Sequence, residues 1–199
     1  MKALHRADLF GWSRFDASRN LDFNSILWVR PSGNVLIDPL ELSDHDMAHL
    51  RELGGAAWIV ITNGDHVREG PRLAEALGAK LVGPAAERER MPVACDRWVG
   101  EGDEVVPGLR VLEMHGSKTL GELALLLEDT TLVTGDLIRA QRGGRLNLLP
   151  PAKLSNPAQA AQSVRRLLAF PNIDAVLVGD GWPVFRDGHA RLRELADSL

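Results

Sequence analysis

The sequence lacks most features that would commit it to an unusual environment. Cysteine occurs once, at Cys95, so no internal disulfide framework can hold the fold. No apolar run approaches the roughly 18 residues that a membrane span needs. There is no basic excess: 23 Lys and Arg stand against 27 Asp and Glu, a net charge of −4. That balance argues against a dedicated binder of nucleic acid or anionic membranes. Long Ser/Gly/Pro linkers, repeats and low-complexity tracts are missing too. The stretch from Met1 to Trp12 interrupts its apolar residues with Arg6 and Asp8, so it has no signal-peptide core. What remains, at 45% hydrophobic and 25% charged residues, is the composition of an ordinary soluble globule. At this length about 70% of the unfolded surface can be buried. The expectation is one cytoplasmic domain covering residues 1–199, with no mark that fixes an oligomeric state.

The apolar pattern alternates between strand and helix signals. Ser25 to Val29 and Asn34 to Asp38 read as strands around a Pro31-Ser32-Gly33 turn. Ser43 with Asp46 marks a helix start, Met47, Leu50 and Leu53 its buried stripe, and Gly54 its end. Ala56 to Thr62 reads as a strand buried on both faces. Pro71 to Leu77 predicts a helix stopped by Gly78, then Lys80 to Val82 a strand and Ala85 to Met91 a charged helix. Arg110 to Glu113, Leu123 to Leu127 and Thr131 to Thr134 are short strands. Asn156-Pro157 opens a helix with Ala161, Val164, Leu167 and Leu168 on its core side. Ala175 to Val178 is a buried strand, and Leu192, Leu195, Ala196 and Leu199 stripe a last helix. Two β-rich halves, each finishing in strand and helix alternation, predict an α+β fold of two packed sheets with helices outside, a four-layer αββα sandwich.

Polar residues just after buried strands are where a rigid scaffold presents chemistry. Four segments qualify: Asn63 to Arg68, Met114 to Thr119, Gly135-Asp136, and Gly179 to Pro183. Asp65, Asp136 and Asp180 fall in three of them, and their convergence into one cavity is the central expectation.

The order of these segments resembles the metallo-β-lactamase superfamily over essentially the whole chain. Asn34 to Asp38 resembles its "vLID" strand, Gly102-Asp103-Glu104 its "dGd" turn, and Lys118-Thr119-Leu120-Gly121 its "GHTpGs" segment. Thr134-Gly135-Asp136 matches "TGD", and Val178 to Gly181 stands where "pGHG" usually stands. The metal-ligand motif T-H-x-H-x-D-H is present only as Ile61 to His66. If Asp65-His66 closes that motif, Ile61 and Asn63 replace its histidines. If Thr62 opens it, only Asp65 keeps a ligand type. The third histidine position reads Lys118 and the last reads Asp180, with Asp136 unchanged.

Two functional expectations follow from the resemblance. In one, a single divalent ion (zinc, manganese or iron) is held by Asp65, His66, Asp136 and Asp180, and an ester, amide or phosphate is hydrolysed. Asp65 or Asp136 would orient the metal-bound water and Lys118 would steady an oxyanion. In the other there is no metal. Lys118 and Arg68 neutralise the carboxylates, and the old cleft binds a small molecule or a protein partner. Asn63, Arg68, His115 and Trp182 are expected around the pocket in either case. His45 and His49 lie four apart, but helical geometry puts both roughly 100° off the apolar stripe, on a solvated flank. Cys95 reads as a small buried hydrophobe, and Arg142 to Pro151 as a surface insertion.

Overall fold

A computed structural model describes all 199 residues, Met1–Leu199. In chain order the elements are β1 (Lys2–Ala3), β2 (Leu9–Asp16), β3 (Leu21–Trp28), β4 (Val35–Ile37), α1 (Asp44–Glu52), β5 (Trp58–Val60), α2 (Gly70–Leu77), β6 (Lys80–Pro84) and β7 (Arg97–Val99). There follow β8 (Leu109–Glu113), β9 (Leu123–Leu127), β10 (Thr131–Thr134), β11 (Ile138–Arg142), β12 (Arg145–Leu148), α3 (Pro157–Arg166), β13 (Ala175–Val178) and α4 (Gly188–Asp197). Strands β1 to β7 form one seven-stranded sheet in sequence order. It is antiparallel from β1 to β4 and parallel from β4 to β7, with α1 and α2 as crossovers. The second sheet runs β13-β10-β9-β8, and β13 joins parallel to β10 after the α3 crossover. Strands β11 and β12 make a separate hairpin.

Period-two alternation along the strands builds the layers. Leu123, Leu125 and Leu127 of β9 meet Val35, Ile37, Val60 and Val82 in a core between the sheets. The alternate residues Ala124 and Leu126 face outward, against Val164 of α3 and Leu192 of α4. On the far side Leu27, Leu36 and Ile59 pack under Leu50 of α1 and Leu73 of α2. Each fully buried Leu contributes about 1.5–3 kcal/mol of apolar burial, so three stacked cores suffice without staples. The αββα sandwich expected from the sequence is the observed fold.

Several local expectations are corrected. Ala85 to Met91 is not a charged helix but one 3-10 turn, Ala85–Glu87. Pro92 disfavours helical backbone at the residue before it. The Glu87 side chain is buried, accepting the Gly64 amide at 2.7 Å and the Gly121 amide at 3.3 Å. Strands β1, β2 and β7 had no separate sequence signal, and β2 turns polar and exposed over its second half. The Arg142 to Pro151 segment is no mere surface insertion: Arg145–Leu148 pairs with Ile138–Arg142, and Leu146 and Leu149 are buried. Leu199 lies past the end of α4 and is exposed. Cys95 is half-buried rather than core, and burial with the neighbouring Asp96 charge pushes its thiol up to about 11.

Candidate active-site cleft

The cleft forms where the segments after β5, β10 and β13 meet. After β5, Asn63 caps a 3-10 turn, Gly64–His66, its side-chain oxygen accepting the Asp65 amide at 2.9 Å. The turn buries His66 and leaves Asp65 exposed. Glycine is needed where the halves touch. A Cβ on Gly135 would sit 2.9 Å from Thr62 Oγ1, and one on Gly179 would sit 2.9 Å from His66 Cε1. From the first sheet, β3 locks onto the Asp180 segment: the Asn24 amide donates to Gly179 O at 2.8 Å, and Asn24 Nδ2 donates to Val178 O and Gly181 O.

The floor is a chain of buried polar contacts. Asp38, just past β4, adopts a left-handed backbone with φ +46°. Its carboxylate accepts the Thr62 amide at 2.8 Å, the Thr62 hydroxyl at 2.6 Å and His66 Nδ1 at 2.7 Å. That leaves His66 Nε2 directed to Asp136 Oδ2 at 3.7 Å, too long for a hydrogen bond but close for two charges. Burial alone would lower the His66 pKa, but the Asp38 charge outweighs it and raises the ring to about 9. Burial likewise works against the Asp136 carboxylate, yet His66 and Lys118 hold it well below the ordinary range. Behind them Glu122 is fully buried, accepting from Ser117 Oγ and from the Leu137 amide at 2.7 Å. Desolvation and the Asp136 charge push it up to about 7.

Above this floor every acidic group meets a cation. Lys118 Nζ lies 2.7 Å from Asp65 and 2.9 Å from Asp136, bridging the two. Burial opposes its charge, but the two carboxylates raise its pKa. Arg139, from β11, pairs with Asp180 and reaches Asp136 at 3.4 Å. Arg68 approaches Asp180 at 3.9 Å and donates to the Asn24 and Asp38 carbonyls at 2.6 Å and 2.9 Å. The cavity is about 450 Å³. A larger one, about 550 Å³, lies against Trp12 and Phe185, but its two charged side chains are Lys2 and Asp46, and Asp46 is engaged by the Met1 ammonium.

Asp65, His66, Arg68, Lys118, Asp136 and Asp180 therefore share one cleft, as expected. Asp65 does not join the tightest group. Ligand-type atoms of His66, Asp136 and Asp180 come within 4.8 Å of one another, while Asp65 stays at the rim tied to Lys118. Asn63 is buried behind the turn it caps, not in the cavity lining. His115 is not a cleft residue: it is exposed, next to Glu113, in a separate small recess with Gln159 and Arg166. Its position three residues before Lys118 turns it to the other side of the loop. Trp182 lines the adjoining recess rather than the cleft itself. Sequence reading missed Arg139, although it follows Asp136 by three residues. It also missed the roles of Asp38 and Glu122, and Arg19 and Lys153 at the mouth.

Chemically, the His66, Asp136 and Asp180 atoms are of types that suit a divalent ion. The cations beside them are not. Asp65, Asp136 and Asp180 are matched by Lys118, Arg68 and Arg139, so the cluster closes near neutrality without a metal. A divalent ion about 4 Å from Lys118 Nζ would meet repulsion on the order of 8 kcal/mol at an effective dielectric of about 20. The donor atoms of His66, Asp136 and Asp180 are close enough to hold an ion, and the neighbouring Lys118 and Arg139 charges oppose one.

The metallo-beta-lactamase superfamily model matches residues 1–199, and the chain belongs to that superfamily. Hydroxyacylglutathione hydrolase of Brucella anthropi is 35% identical over 119 residues, 58% of this chain and 43% of the relative. The chain thus spans less than half the length of the curated relatives it matches. Among solved structures, DIM-1 metallo-beta-lactamase superposes with a TM-score of 0.75 at 14% identity, covering 97% of this chain and 94% of the other. The di-iron-bound form of TTHA1623 gives 0.69 at 22% identity, covering 91% and 98%. These two likenesses carry the fold alone.

Proposed function

We propose that this chain is a metal-free member of the superfamily, whose cleft binds a small ligand instead of hydrolysing one at a metal centre. The observation that supports this reading is the position of Lys118 and Arg139: they occupy the space between Asp65, Asp136 and Asp180 with the chain's own positive charge. Lys118 Nζ at 2.9 Å from Asp136 and the Arg139 guanidinium on Asp180 put fixed positive charge where an ion would sit. The activity in the Brucella relative's name is therefore not transferred to this cleft.

The rival reading is a single-metal hydrolase on His66, Asp136 and Asp180. It has one observation in its favour: Asp136 Oδ2 and Asp180 Oδ1 are buried without a hydrogen-bond partner. Elemental analysis of protein purified without added metal separates the two. The metal-free reading expects substoichiometric zinc, manganese and iron, and no rise in thermal midpoint when any of them is added. One ion per chain, lost in Asp136→Asn and Asp180→Asn, would establish the hydrolase instead.

A further inference from the structure

The cleft has more positive charge than its carboxylates absorb. Apart from His66, which Asp38 answers, five cationic side chains line it, Arg19, Arg68, Lys118, Arg139 and Lys153, against Asp65, Asp136 and Asp180. With the inner three matched, Arg19 and Lys153 remain at the mouth. Lys153 makes no ion pair, and the carboxylate near Arg19 is Asp16 at 3.7 Å, outside the lining. Deeper in, two guanidiniums keep buried N–H groups without acceptors, Arg68 Nη2 and Arg139 Nε. Their side chains are 10% and 9% exposed, so water offers little compensation. The orphaned oxygens Asp136 Oδ2 and Asp180 Oδ1 face Lys118 at 2.9 Å and Arg68 at 3.9 Å, which leaves the surplus positive. In a chain of net charge −4, that surplus is local and placed.

Arg19 also borders a second recess of about 450 Å³, beside Phe15 and Trp182. These aromatics are 60% and 61% exposed. Trp182 is nevertheless fixed: its Nε1–H donates to Asp22 at 3.1 Å, and its ring packs against Gly143, where a Cβ would approach to 3.4 Å. A held, open indole face next to a cationic pocket is suited to stacking a planar group.

We propose that the two recesses are halves of one site for a phosphate monoester that carries a planar ring. The proposal deepens, and rests on, the metal-free reading of the cleft. A monoester carries roughly −1.5 to −2 charges at neutral pH, which matches the two unpaired cations Arg19 and Lys153. Its oxygens face the guanidiniums of Arg68 and Arg139, which line the same cavity and are suited to charge-assisted contacts with phosphate. The ring then lies over Trp182 and Phe15, with Arg19 between head and ring.

The test is calorimetric titration of the full chain, before and after dialysis against a chelator, with adenosine 5′-monophosphate, adenosine and inorganic phosphate. The monophosphate is expected to bind at least about tenfold more tightly than either fragment, each half of the site supplying part of the affinity. Arg19→Ala and Lys153→Ala change exposed residues, so the fold is kept. Each is expected to weaken the monophosphate about five- to tenfold. Trp182→Ala should weaken the monophosphate but leave inorganic phosphate unchanged. Equal affinity for the monophosphate and adenosine, or indifference to both cation variants, overturns the proposal. No binding before or after dialysis overturns it too, while elemental analysis still decides the metal-free reading on its own. Binding lost only after dialysis overturns the metal-free reading and, with it, the proposal in this form.

Discussion

The floor and the rim of the cleft use charge in opposite ways. Deep in the cleft Asp38, Thr62, His66, Asp136, Arg139 and Asp180 are buried and pair with one another at short range, while Asp136 Oδ2, Asp180 Oδ1 and Arg139 Nε keep no hydrogen-bond partner. At the rim Arg19 and Lys153 are exposed and largely unmatched. Removing a partner from the floor leaves a charge in low dielectric, whereas the same change at the rim is answered by water. The floor is thus where stability resides, and the rim is where a ligand can be recognised at small cost to folding.

Arg139→Ala strikes this contrast hardest. It strips Asp180 and Asp136 of a buried cation and should cost about 3–5 kcal/mol in urea unfolding. Lys153→Ala, exposed at the rim, should stay within about 0.5 kcal/mol. Equal losses in the two variants would erase the distinction between floor and rim.

The pH dependence comes next. His66 is raised in the folded state to about 9. Its contribution is therefore complete below the unfolded value of about 6.5 and is lost as pH rises toward 9, a change on the order of 3 kcal/mol. Glu122, raised to about 7, adds a decline in the same direction between about 4.5 and 7. Urea unfolding across pH 5 to 9 should show stability falling, and His66→Gln should flatten the upper part. Stability that rises with pH above about 6.5 would contradict the buried imidazolium.

Asp38→Asn keeps a residue type that tolerates the left-handed backbone but removes the charge facing His66. It should cost about 1.5–3 kcal/mol and lose the same high-pH slope. His115→Ala, in its separate recess, should move stability by less than about 0.5 kcal/mol and leave titration of the cleft unchanged.

How much of this was legible in the sequence depended on range. Strands such as Leu123 to Leu127 declare themselves because a sheet covered on both faces demands continuous apolar residues. The acidic tips Asp136 and Asp180 were visible because each follows such a run. Arg139 was not, since its role depends on a partner 41 residues away and on a hairpin that reads as a polar loop. Asp38 showed only as the end of a strand. Its three hydrogen bonds come from Thr62 and His66 across the neighbouring parallel strand, a register that local pattern does not encode. His115 and Trp182 failed the other way: proximity in sequence placed them at the cleft, and the direction of the loop placed them beside it.

Lys118, lodged between Asp65 and Asp136, has one more consequence. In the metal-free protein we propose, the counter-charges come with the chain, the centre is finished when the two sheets close, and the supply of trace elements does not limit how much finished protein there is.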